Sequence, residues 1–107
     1  MRVLISAVEV GSVRALVPVC TQLIKYGFSV IIEKRGHFDI EIFDELSMFL
    51  FDLPKNENEL KLFMVEKKIT SFLFSVNIHD SRPLRIARLA KELNIFTFHL
   101  LDYWNDY

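Results

Sequence analysis

A chain of 107 residues with a formal charge of −1 is one domain's worth of polypeptide, and it has no basic excess with which to neutralise a nucleic-acid backbone. Hydrophobic residues at 51% and charged residues at 25% make a globular balance, which excludes a disordered chain. No apolar run is long enough to span a bilayer, and the opening run is broken by Glu9 without a small-residue cleavage site, so the expectation is a cytoplasmic protein with no membrane span.

Val3 to Val8 is short, apolar and partly β-branched, the pattern of a strand buried on both faces. From Ser12 to Tyr26, Val13, Leu16, Val17, Cys20, Leu23 and Ile24 recur at spacings of three and four, which predicts a helix. Between the two, Gly11 reads as a tight turn and Ser12 as the residue capping the helix. Gly27 is the stop signal. Pro18 must either lie near the helix start or remove one hydrogen bond. Cys20 has no second thiol to pair with and reads as a small buried hydrophobe in a reducing compartment.

Phe28 to Glu33 is a second predicted strand, closed by Lys34-Arg35-Gly36. Asp39 to Leu46 suggests a short helix with a ragged apolar pattern. Met48 to Leu53 is a third strand, stopped by Pro54. Asn56 to Lys67 sets Leu60, Leu62, Phe63 and Val65 among charges as an amphipathic helix, with Glu57 and Asn58 sharing an outer face with Lys61. Ile69 to Val76 is the fourth strand. A polar loop, Asn77 to Pro83, then leads into a helix over Leu84 to Leu93, with Ser81 or Arg82 as its cap. Leu84, Ile86, Ala87, Leu89, Ala90 and Leu93 are its inward face, and Asn94 is its stop. Ile95 to Leu101 is a fifth strand, in which His99 reads as a core histidine.

Five strands alternating with four helices over short connections predict a single α/β domain over residues 1–107. Its architecture is a three-layer Rossmann-like open parallel sheet of five strands, helices on both faces, in the order 3-2-1-4-5. Ligands of such sheets sit at the carboxyl ends of the strands. That rule selects Glu9, Gly11 and Ser12 after the first strand, Glu33 to His37 after the second, Asn77 to Ser81 after the fourth, and Asp102, Trp104 and Asn105 after the fifth.

Several chemistries fail on residue count. A dinucleotide loop needs three glycines where only Gly11 stands, although Glu33 falls near the ribose-contacting position. There is no Gly-Lys-Ser/Thr phosphate loop. The three histidines, His37, His79 and His99, match no metal-site spacing, so no metal and no cofactor is expected. A phosphoacceptor site could use Asp52, but it lacks paired acids after the first strand and a lysine ending the fifth. The ten phenylalanines either fill buried faces or form a docking surface.

Two segments resemble the N-terminal domain of GT-B glycosyltransferases and the related nucleotide-sugar 2-epimerases. The first is Val3 to Val30, with its Val-Gly-Ser turn, Ala15-Leu16, Leu23 and Gly27. The second is Ser75 to Tyr107, in which a polar loop precedes an Ala/Arg-rich helix and a strand running into Asp-Tyr-Trp-Asn-Asp-Tyr. The resemblance implies an acceptor-side half whose chemistry needs a donor-binding domain or subunit, with a sugar or nucleotide-sugar as ligand. Gly11 and Ser12 would line the cleft beside Asn77 and Asp102, and His79 or Asp80 would serve as base, with Glu9 behind them. The family continues beyond the point where this sequence stops at Tyr107, so complete glycosyl transfer by this chain alone is not expected. The rival expectation is a non-catalytic flavodoxin-like α/β interaction module. It would form a homodimer through aromatics such as Phe96, Phe98, Tyr103, Trp104 and Tyr107.

Overall fold

A computed structural model describes residues 1–6, 10–33, 50–74 and 81–99, with backbone alone at 10–17 and 50. The chain is α/β. Its strands are β1 (Arg2–Ser6), β2 (Ser29–Glu33), β3 (Leu50–Phe51), β4 (Ser71–Phe74) and β5 (Phe96–His99). Its helices are α1 (Val10–Lys25), α2 (Glu57–Glu66) and α3 (Arg82–Glu92). The helix expected over Asp39 to Leu46 lies outside the described residues.

The body of the sheet is parallel. β1 pairs with β2 on one side and β4 on the other, and β5 lies outside β4. The two residues of β3 pair with Ile32 and Glu33 of β2. β1 is buried along nearly its whole length, as a central strand between two helix layers must be.

Strand alternation assigns the faces. Leu4, Ile31, Phe72 and Phe74 point to one side and pack with Leu60 and Met64 of α2 and Ile86, Ala87, Leu89 and Ala90 of α3, forming the main core. Val3 and Leu73 point to the other side, where they line a groove together with Val19 and Leu23 of α1. Among the described residues, α1 alone lies on that second face. Leu73 is therefore only half-buried, and Phe96 and Phe98 are exposed.

All three helices end the same way. Phe28 N–H donates to Leu23 O and Gly27 N–H to Ile24 O. Ile69 N–H donates to Met64 O and Lys68 N–H to Val65 O. Ile95 N–H donates to Ala90 O and Asn94 N–H to Lys91 O. This paired pattern needs a left-handed residue at the turn, supplied by Gly27 (φ 91°), Lys68 (φ 55°) and Asn94 (φ 60°). An apolar residue (Phe28, Ile69 or Ile95) then leads the chain into the next strand.

The helix starts depart from expectation in part. α1 begins at Val10, so Gly11 and Ser12 are its second and third residues, neither a preceding turn nor a cap. Pro18 sits inside this helix, exposed, where it supplies no N–H to the ladder. α3 begins at Arg82 with Ser81 at the cap position and Pro83 in the first turn, as expected, but Ser81 makes no side-chain capping bond. α2 starts as its sequence suggests, with Asn56 Oδ1 accepting from the N–H groups of Asn58 and Glu59.

Three burial assignments are also corrected. Leu84 is exposed because it lies off the stripe that Ile86, Leu89 and Ala90 turn to the sheet. On α2 the inward stripe is Leu60 and Met64, one turn apart, which leaves Leu62 and Val65 in water. His99 is exposed, stacked on Phe74 at 4.9 Å from its place on the outermost strand. Lys61 pairs with Glu92 of α3 at 2.7 Å, so its ionic partner is on the neighbouring helix.

Candidate functional site

The carboxyl edge of the sheet holds a buried polar cluster. Ser6 ends β1 and Glu33 ends β2, and both are buried. Parallel pairing brings these two strand ends side by side. Ser6 Oγ donates to Glu33 Oε1 at 2.7 Å, and Arg82 Nε donates to Glu33 Oε2 at 2.6 Å. Arg82 Nη2 reaches on to the carbonyl of Pro54, just beyond β3, at 3.2 Å. One guanidinium thus joins the start of α3, the end of β2 and the segment after β3, while the Ser6 hydroxyl adds the end of β1.

The energetics are those of a charge held out of water. Glu33 is 2% exposed, so its carboxylate needs a charged partner and hydrogen bonds on both oxygens. Arg82 provides the charge through a short, charge-assisted bond. It does so from the first residue of α3, where a cation opposes the helix dipole. That local cost is offset by the contact with Glu33, and no acidic residue stands in the first turn to relieve it otherwise.

The cluster limits the chemistry available. Both oxygens of Glu33 are engaged inside the protein, so this residue is not presented as a base, nor as an acceptor for a ribose hydroxyl. Its work is to hold the rim of the carboxyl edge in one arrangement. At that rim Ser6 of β1 lies opposite Phe74 of β4. The first turns of α1 and α3 follow the segments that leave these two strand ends.

The residues selected from the sequence are distributed unevenly. Gly11 and Ser12 are in the first turn of α1, at the carboxyl edge, with their backbone alone described. Asn77, His79, Asp80 and Asp102 lie outside the described residues, as do Glu9, His37, Tyr103, Trp104 and Tyr107. Glu33 is at the edge as expected, but it is turned inward. Arg82 was read from the sequence only as a helix cap. The signal that could have found it is a cation placed against the dipole at a helix start, immediately before Pro83. Asp52 lies just past β3 and is exposed.

Cys20 is fully buried on α1, and burial pushes its thiol up to about 11, partly offset by a backbone hydrogen bond. Such a thiol is packing material, as expected. Among the described residues no three His, Cys, Asp or Glu side chains come together as a metal cluster. No described helix is long and apolar enough to cross a membrane.

No protein-family model and no curated protein sequence matches this chain.

Proposed function

We propose that this chain is a Rossmann-like half-domain of the kind found on the acceptor side of GT-B glycosyltransferases. It takes a sugar or nucleotide-sugar at the carboxyl edge of its sheet and depends on a donor-binding domain or subunit for transfer. The observation that carries the reading is the Ser6–Glu33–Arg82 cluster. It spends a buried ion pair on fixing the rim where an open parallel sheet takes its ligand. The pairing of β3 outside β2 supports counting Leu50–Phe51 as the fifth strand of a sheet in the order 3-2-1-4-5.

On this reading Gly11 and Ser12 meet the ligand from the first turn of α1. Asn77 and Asp102 lie beside it, and His79 or Asp80 is the residue within reach of an acceptor hydroxyl. The test is thermal denaturation of the intact chain with UDP-sugars, UDP alone and free sugars, repeated on Gly11→Leu and Asp80→Ala. A ligand at ten times its dissociation constant contributes about 1.4 kcal/mol, enough to raise the Tm of a domain this size by several degrees. That shift, lost in both variants, is the expected result. No shift with any ligand at millimolar concentration overturns the reading.

A further inference from the structure

The second face of the sheet offers a surface that the ligand reading does not use. A groove of about 480 Å³ runs between α1 and the outer strands, floored by Val3 and Leu73 and walled by Leu23, Phe96 and Phe98, with no charged side chain among the described residues that line it. Phe96 is 73% exposed and Phe98 54%. Beside the groove, α1 raises a second uncharged surface through Pro18, Val19 and Tyr26, with Tyr26 75% exposed. Val19 and Leu23 belong to both surfaces, so the two form one continuous apolar stripe.

We infer that this stripe is a two-fold interface with a second copy of the chain, in which α1 of each copy lies in the α1–β5 groove of the other. The argument for a second copy is self-complementarity and area. The α1 surface and the groove beside it share Val19 and Leu23 and form one continuous apolar patch, which an isologous contact pairs with its own copy. Met1, Tyr26, Phe96 and Phe98 together leave roughly 600 Å² in water. With half-buried Val19, Leu23, Phe28 and Leu73 added, that approaches the ~800 Å² per partner of a standard stable interface. The stripe also has the composition of an interface core, aromatic and free of charge. The partner's α1 then takes the place of a second helix over β4 and β5.

The test is sedimentation equilibrium of the whole chain from low to high micromolar concentration, with Phe96→Lys altering the groove and Tyr26→Lys altering the α1 surface. Both side chains are exposed, so each variant retains the far-UV circular dichroism and thermal midpoint of a folded domain. The expected result is a wild-type dimer, with each substitution weakening association at least tenfold. A wild type that stays monomeric at high micromolar concentration overturns the inference and leaves the stripe to a different polypeptide. A dimer that survives both substitutions also overturns it. A dimer lost with Phe96→Lys but kept with Tyr26→Lys overturns the assignment of α1 as the occupant.

Discussion

Replacing Arg82 by Met keeps most of the side chain's length and apolar bulk but removes the charge that faces Glu33. The carboxylate, 2% exposed, then loses the guanidinium of Arg82 and keeps the Ser6 hydroxyl. Breaking a fully buried pair by removing one partner costs about 3–5 kcal/mol. Arg82 is 25% exposed, so water reaches its side of the contact and the expected loss is smaller, about 2–3 kcal/mol. Urea denaturation followed by circular dichroism measures it. The double variant Glu33→Gln with Arg82→Met removes both charges while leaving an acceptor for Ser6. It should recover a good part of that loss, with a coupling of about 1–2 kcal/mol between the two positions. A cost below about 0.5 kcal/mol for Arg82→Met, or no coupling, is what a solvated surface pair gives, and it would refute the reasoning.

Three further outcomes follow from the same geometry. Lys68 holds a left-handed conformation that favours glycine, so Lys68→Gly should stabilise the chain by about 0.5–1 kcal/mol in the same urea assay; a loss would contradict the helix-end account. Phe72 is fully buried between the sheet and two helices, and Phe72→Ala should cost about 3–5 kcal/mol, whereas Lys61→Ala on the exposed α2–α3 ion pair should cost under about 0.5 kcal/mol. Cys20, with its thiol raised to about 11, should resist alkylation at mildly alkaline pH until the chain is unfolded. Because its folded value lies above that of an ordinary thiol, its contribution to stability is complete below about pH 9 and is lost as pH climbs through about 11.

The alternation of strands and helices was legible because apolar period survives in each segment. The helix ends were legible where the residue itself prefers a left-handed turn, at Gly27 and Asn94. The same turn at Lys68 was not, because lysine carries no such preference and only the bonds of Ile69 and Lys68 to the preceding turn reveal it. The start of α1 was misread because Val10 follows no residue that caps by its side chain, whereas the starts of α2 at Asn56 and of α3 at Ser81 fell where the sequence set them. On β5 the exposure of Phe96 and Phe98 was anticipated, whereas His99 was misread as core. Burial on that strand depends on what lies over the sheet's outer strands, a tertiary matter. The Glu33–Arg82 contact joins residues 49 positions apart, and no local pattern in the sequence brings them together.

The proposed site itself is most directly tested by amide chemical shifts in an NMR titration of the intact chain with UDP-sugars and free sugars. The account predicts that perturbed amides gather at the carboxyl edge, at Ser6, Glu33, the first turn of α1 and Ser81–Arg82. Amides at the opposite edge, around Arg2, Gly27, Lys68 and Asn94, should stay still. No perturbation at millimolar ligand, or perturbation centred on that opposite edge, would contradict it.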